Sequence, residues 1–468
     1  MSFQFRRCTL DQPLLLPPSL QEWLPDGHLA RFIADVTEQL DLSAIYTGYG
    51  RKDGRGQLGY HPLLLTRLLL YGYCVGVVSS RAMERKTHDD VGFRYLAADQ
   101  HPDHDTIANF RKQHLKALSG LFLQALQLCR KAGLVKLGHV ALDGTKIQAN
   151  ASKHKAMSYG RMGEAEQKLQ AEVEELLRQA EAADAAEDAQ YGKGQRGDEL
   201  PAELARRESR LRKIQEAKAE LEAEARQEAE KKKAEGDAKL AARHHQEEQT
   251  GQKARGRDPQ APIPDKAQPA ASAQRNFTDP ESRIMPDGAH KGSFVQGYNA
   301  QIAVDSQAQI IVACDLTEET NDKQQLAPVL EQVDQNLGVK PTAASADTGY
   351  WSEAQVSDER LAGIALYVAT SKQKHGEADE PAEPPPAPGG QESPVAAMTK
   401  KLKSEAGRTI YKMRKAIVEP VFGQIKEWRR FRRFSLRGKD QAKAEWTLIC
   451  LTHNLLKLFR SGRSWQPA

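Results

Sequence analysis

The chain has 468 residues, 39% of them hydrophobic and 28% charged, with a mean hydropathy of −0.64. That length exceeds one small core and allows two or three domains, while no apolar run reaches the roughly 18 residues that a bilayer span requires. The net charge of +4 is polarised: from Lys401 onward 17 Lys and Arg face 5 Asp and Glu, so a basic end points to a polyanion, nucleic acid before membrane.

The longest apolar stretch, Pro62 to Val78, is broken by Arg67, Gly72 and Gly76. The N-terminal twenty residues lack an h-region and a small-residue cleavage site, so no signal peptide is expected. Cys8, Cys74, Cys129, Cys314 and Cys450 are scattered, odd in number and form no CxxC pair. They suit a cytoplasmic protein and argue against zinc.

Residues 1–130 read as helical. Leucines cluster from Leu63 to Leu70, Ser79 and Ser80 can cap a helix, and His101 to Thr106 leads into a segment with Ile107, Phe110, Leu115 and Leu118 apolar. Short helices of this kind fit a helix-turn-helix-like bundle. His101 and His104 have no accompanying Cys or second His pair, so they do not read as zinc ligands.

In HVALDGTKIQAN, His139 to Asn150, a small and apolar strand ends in Asp143, followed by Gly144 and Thr145. Strand interiors disfavour Asp, so Asp143 is either a turn residue or one carboxylate of a cluster at a buried strand end. Residues 160–245 are rich in Ala, Glu, Lys, Arg, Gln and Leu. Leu169, Val173, Leu176, Ala180 and Ala183, then Leu200, Leu204, Leu211, Ile214, Leu221 and Ala225, keep helical seam spacing around a Gly-containing turn. An antiparallel, coiled-coil-like helix pair is expected there, and a linker over 246–287.

From 288 the pattern changes to strands. Phe294–Asp305 and Gln309–Thr317 form a hairpin, and a helix entered at Asn321 or Asp322 ends at Gly338. A second small-residue strand then ends in Asp347-Thr348-Gly349-Tyr350. Gly363–Thr370 is another strand, 377–396 an acidic, proline-rich disordered loop, and the segment from Lys403 to Arg460 helical.

A third acidic residue, Glu419, is flanked by Ile417, Val418, Val421 and Phe422, so its side of the helix is expected to be buried. Three carboxylates in such places need a partner, because an unpaired buried charge costs several kcal/mol. Mg²⁺, with Mn²⁺ as the alternative, resolves this, and a pair of ions can activate an attacking oxygen and stabilise a leaving one at a phosphodiester. Strand-Asp, hairpin, helix, strand-Asp, helix-Glu is the order of an RNase H-like α/β core, here assembled from 134–150 and 288–460.

With these residues in place, the chain resembles the DDE transposases of bacterial insertion sequences. LDGTKI resembles their first Asp motif and ADTGYWS the second. Tyr411, Arg414, Glu419 and Lys426 are similar to the Tyr-Arg-Glu-Lys signature, with one extra residue between Arg414 and Glu419. Tyr60 to Arg111 resembles the amino-terminal domain of these proteins, and the helical insertion occurs in one branch. The resemblance implies metal-dependent DNA cleavage and strand transfer at the ends of a mobile element. Asp143, Asp347 and Glu419 would be the catalytic metal ligands, and Tyr411, Arg414 and Lys426 would contact DNA. It implies a homodimer on element ends and target DNA, with no membrane and no small-molecule substrate. Downstream, seven basic groups and one acid occupy 426–439, and Arg429, Arg430, Arg432, Arg433 and Arg437 alternate with Trp428, Phe431 and Phe434. That alternation suits phosphate pairing and base stacking. The rival readings are a catalytically silent DNA-binding descendant and a stand-alone nuclease.

Overall fold

The computed structural model describes residues 19–47, 59–191, 202–250, 262–287, 292–371 and 393–464. The first seven helices are α1 (Leu20–Trp23), α2 (Leu29–Gln39), α3 (Ser43–Tyr46), α4 (Pro62–Val75), α5 (Ser80–Asp89), α6 (Val91–Leu96) and α7 (His104–Lys131). Their starts follow side-chain chemistry. Asp103 accepts from the Thr106 amide at 2.8 Å to cap α7, and Asp90 accepts from Gly92 and Phe93 to cap α6. Helix α4 is apolar almost all round because it is buried on nearly every side, with Leu68, Leu69, Leu70, Tyr73 and Cys74 fully enclosed. Among the described residues no single helix is long and apolar enough to cross a membrane.

The remaining elements are β1 (His139–Gln148), β2 (Ala156–Ser158), α8 (Tyr159–Tyr191), α9 (Ala202–Thr250), β3 (Gln274–Asn276), β4 (Arg283–Pro286), β5 (Phe294–Asp305), β6 (Ile311–Thr317), α10 (Leu326–Leu337), β7 (Ala343–Ala346), α11 (Glu353–Val356), β8 (Ala365–Val368), α12 (Pro394–Lys403), α13 (Glu405–Gly423) and α14 (Lys439–Ser461). One sheet runs β4-β5-β1-β7-β8, with β6 also on β5. β1 is antiparallel to β5 and parallel to β7, and β7 is parallel to β8. This is the strand arrangement expected of an RNase H-like core. Helix α13 packs on β1, β7 and β8, while α10 and α14 pack on β6.

Several expectations are adjusted. Residues 274–276 and 283–286, inside the expected linker, pair with β2 and β5 respectively. The helical end is broken: α13 runs into one turn of π-helix over Gln424–Trp428, and the chain is then irregular until α14. Pro420 sits inside α13 without ending it. In the insertion, α8 and α9 pack through Met162, Leu169, Ile214, Ala217 and Leu221. Ion pairs Lys218–Glu166 and Arg207–Glu172, both 2.9 Å, flank that seam. The turn joining α8 and α9, and residues 377–392 of the expected acidic loop, lie outside the described residues.

The helical front and the core share one hydrophobic cluster. Glu445 of α14, 1% exposed, is a main polar joint between them. It accepts from the Tyr73 hydroxyl of α4 at 2.9 Å, from the Ser435 and Leu436 amides at 2.9 and 3.0 Å, and from the Ser435 hydroxyl. Arg111 of α7 donates to the Tyr73 oxygen in turn. Deleting this carboxylate strands several buried donors, and each unmade bond costs on the order of 1–3 kcal/mol. Glu445→Ala is therefore expected to lower the Tm by several degrees, about 3 kcal/mol, in calorimetry of the full chain. Glu445→Gln, which keeps one acceptor oxygen, is expected to lose about half as much. A loss below about 1 kcal/mol for the alanine variant would show that water replaces the carboxylate.

Candidate active site

Strand β1 pairs with β7 only over His139–Ala141, opposite Ala343–Ser345. β7 ends at Ala346, and the chain turns away through a 3-10 turn that Asp347 caps, accepting from the Gly349 amide at 2.8 Å. β1 continues along β5 to Gln148, where it bridges to Arg433. Its β7-side edge therefore opens just where Asp143 stands, and parallel pairing puts Asp347 at the same end of the neighbouring strand.

Asp143 meets the Arg414 guanidinium of α13 at 3.5 Å. Burial nevertheless pushes its carboxyl up to about 7; Arg414 opposes the shift, and the charges of Asp347 and Asp322 add to it. Lys146, three residues on, is also coupled to Asp322, Asp347 and Asp143, although burial holds its pKa below the usual lysine value. The open strand edge thus gathers three carboxylates and two cations.

Asp322 was expected only to start a helix. Instead α10 begins at Leu326, and Asp322 lies in the turn before it. Its Oδ1 accepts from the Asn299 and Gln301 side-chain amides of β5 at 2.7 and 2.6 Å. The Tyr350 hydroxyl donates to Gln301 Oε1, fixing that amide. The arrangement needs Gly144: a Cβ there would lie 2.5 Å from Gln301 Nε2 and 2.7 Å from Asp322 Oδ1. Gly349 similarly leaves room for Asp347 and Asp322, whose oxygens lie 3.0 and 3.3 Å from where its Cβ would be. The sequence signal for Asp322 was weak because Asn-Asp before a helix is ordinary capping chemistry. Lys146 was missed because it reads as an outward strand residue.

The other expected site residues divide. Tyr411 is half-buried, with Arg414 5.8 Å from its ring. Lys426 donates to Thr145 Oγ1 at 2.5 Å and to the Lys146 carbonyl at 2.9 Å, which clamps the π-helical turn to β1. Glu419 is exposed, contrary to expectation: the buried face of α13 is Arg414, Ile417, Val418 and Val421. Among the charges acting most on Asp143, Asp322 appears and Glu419 does not. Arg429 is a clear correction. Expected on DNA, it is 2% exposed and donates to Thr452 Oγ1 at 2.9 Å and to the Ile449 carbonyl at 3.2 Å. Phe431 and Phe434 are likewise buried, so part of the aromatic–arginine alternation is core. Arg430 and Arg432 are exposed, Arg432 pairing with Glu427, and Trp428 is exposed beside Arg460. Arg433 and Arg437 donate to the Ala149 and Asn150 carbonyls just past β1.

Among the described residues no three His, Cys, Asp or Glu side chains are grouped to hold an ion by themselves. The donors at the β1 edge are nevertheless all oxygens, and the buried Asn299 Oδ1 has no hydrogen-bond partner. That set fits a hard cation that takes one or two carboxylates and completes its shell with water and phosphate oxygens.

The raised pKa of Asp143 has a consequence for stability. In the unfolded chain the carboxyl titrates near 3.8, so between about pH 4 and 7 the folded chain binds more protons. The stabilisation is complete below that window and is lost as pH rises through about 7. In EDTA, the Tm of the wild type is expected to fall more steeply from acid to neutral pH than that of Asp143→Asn; parallel curves would contradict the shift. Asp322→Asn keeps an oxygen for the two amides and removes one like charge. Its metal-free Tm is expected to rise by a degree or two, about 0.5 kcal/mol, with the Asp143 transition at lower pH. A lower Tm would mean that Lys146 more than offsets the Asp322 charge.

Two family descriptions match parts of the chain. The family described as a transposase domain (DUF772) matches residues 18–113, and the transposase DDE domain matches residues 237–455. No curated protein and no solved structure matches the chain. The second match begins after β1, so the place of Asp143 rests on the pairing of β1 with β5 and β7. Together the helical front, the RNase H-like core and the two domain matches mean that the chain belongs to the DDE transposases of insertion-sequence type, enzymes of DNA transposition.

Proposed function

We propose that this transposase binds the terminal inverted repeats of its element, cuts there and transfers the freed 3′ end to target DNA, with Asp143, Asp347 and Glu419 as the catalytic carboxylates. The observation that supports this most is the coupled pair Asp143 and Asp347 at the open end of two parallel strands. In the first step water oxygen bonds to phosphorus at the element's end, and the bond to the 3′ oxygen breaks. In the second, that 3′-OH attacks a target phosphodiester, whose own 3′ oxygen departs.

Asp143 and Asp347 would hold Mg²⁺ or Mn²⁺, which when bound supplies charge neutralisation at the phosphate and activation of the attacking oxygen. The rest is positioning and electrostatics by the chain itself. Asn299 and Gln301 fix Asp322 beside Asp347, which adds negative charge and a water-orienting oxygen. Arg414 offers further N–H donors from beside Asp143, suited to a non-bridging phosphate oxygen. Lys426 steadies the β1 backbone against the pull of bound DNA. Glu419 lies on α13 seven residues before Lys426 and faces solvent. Its exposure suits a ligand recruited with substrate. A homodimer that pairs two element ends follows from the same reading.

The test is nicking of a labelled duplex carrying the DNA that flanks the gene, with Mg²⁺ or Mn²⁺. Site-specific nicks are expected, reduced on the order of a thousandfold in Asp143→Asn and Asp347→Asn, with Glu419→Gln similarly impaired. Glu419→Gln nicking at nearly wild-type rate would remove Glu419 from the site. Specific binding with no cutting by any variant would favour the silent DNA-binding descendant, a state in which Arg414 permanently occupies Asp143.

A further inference from the structure

We infer that the base of the helical insertion carries a second DNA-binding surface, a basic groove that takes the phosphate backbone of a duplex whose end is engaged at Asp143. The groove, about 800 Å³, lies between the segment that follows β1 and the first turns of α9, with Phe277 and Thr278 on its third side. His154 and Lys155 line one wall, and Arg206, Arg210 and Lys213 the other, and no acidic residue lines it. Arg206, Arg210 and Lys213 are spaced by four and three, so they project from one side of α9. All five are exposed, and none makes an ion pair or side-chain hydrogen bond among the described residues. Arg207 and Lys218, on the seam side of the same helix, are paired with Glu172 and Glu166. Arg206, Arg210 and Lys213 converge with His154 and Lys155 on a groove that no acidic residue lines, and so leave donors for an external polyanion. Ser209 and Thr278 add neutral donors, of the kind that accompany phosphate contacts.

The position of the groove argues for DNA as that polyanion. Lys155 follows Asp143 by twelve residues, the first five of them in β1, so at most about 40 Å of chain separates them. Between them Arg433 and Arg437 lie against the chain at Ala149 and Asn150. A duplex cut at the β1 edge would therefore meet the groove within about twelve base pairs, at about 3.4 Å each. The groove is fixed relative to β1 because β2 pairs with β3, and Arg275 of β3 binds Glu220 and Glu224 of α9 at 2.7 and 2.6 Å.

This inference rests on the reading of the β1 edge as the place where DNA is cut, and binding separates the two. The measurement is fluorescence anisotropy of the full-length protein on a flank-derived duplex of about 30 base pairs and on one of about 8, across a salt series. For Arg206→Gln/Arg210→Gln/Lys213→Gln, affinity for the long duplex is expected to fall 10- to 100-fold, with the log–log salt slope reduced by about 2–3. Binding of the short duplex is expected to fall less than that of the long one, and the circular dichroism spectrum to be unchanged, since all three side chains are exposed. An unaltered affinity and salt slope on the long duplex would overturn the inference, whether or not the protein nicks DNA. So would a loss explained by dissociation of an oligomer in light scattering, which would make the groove a protein contact. Groove-dependent binding by a protein that never nicks would uphold the inference and overturn the proposed catalysis.

Discussion

The structure turns on a mismatch in length between two parallel strands. β7 stops at Ala346 after pairing with only the first part of β1, whereas β1 runs on to Gln148 with β5 as its continuous neighbour. Backbone groups at an open strand edge must find partners or water. Here the edge is served by side chains: Lys426 reaches the Lys146 carbonyl, and the Arg432–Phe434 segment closes the edge again at Gln148. The gap between the end of the β7 pairing at Ala141 and the Lys426 contact at Lys146 is where Asp143 is approachable. An equal-length β7 would bury Asp143 between strands and carry Asp347 away from it. The site is thus a product of strand termination more than of any one side chain.

That gap is held open by the way the helical front is fastened to the core. Glu445 ties α4 to the irregular segment after α13, and Arg429 fills the same junction from the other side, its ring neighbour Phe431 stacking on Tyr73. Among the described residues Arg429 has no acidic partner, and burial draws its pKa down to about 10. A buried guanidinium of which only Nη1 finds acceptors, with Nε and Nη2 left without partners, is costly and is retained only where geometry demands it. Here it holds the carbonyls of α14 and α4 against the segment that closes β1. The helical front and the β1 edge therefore share one rigid joint, and a change at Tyr73 or Glu445 would be felt at β1.

Much of this was legible in the sequence where local pattern and tertiary role coincide. Asp143 and Asp347 stood out because each ends a run of small apolar residues and precedes a glycine, a combination that a buried strand next to a crowded site produces. Other residues obeyed local rules while serving distant ones. Asp322 looked like a helix cap, and only the fold of β5 brings Asn299 and Gln301 beneath it. Arg429 belongs to a run of alternating arginines and aromatics, and nothing local separates the buried member from the exposed ones. Glu419 sits among apolar neighbours, yet the helical period turns it away from them, since Arg414 and Val418 occupy the inward positions. Sequence pattern identified the strands and the charged ends; it did not give the phase of α13 or the break after it.

The place of the insertion follows from the same sheet. A chain can leave the core after β1 and return before β5 only if the two ends lie close together, because β1 and β5 are adjacent strands. β2 and β3 provide that closure, a short antiparallel clasp of Ala156–Ser158 on Gln274–Asn276. Once the ends are clasped, the cost of a longer excursion grows only slowly with its length, so two long helices are accommodated without disturbing the core. The clasp does more than permit the insertion. Asn276 donates to the Ser152 carbonyl, and Tyr159 at the start of α8 donates to Glu222 of α9 at 2.6 Å. Core, clasp and helices are then one continuous set of polar contacts. An arm joined by a bare linker could not keep a surface in register with Asp143, whereas an arm built on this clasp carries its basic wall at a set distance from the strand that bears Asp143.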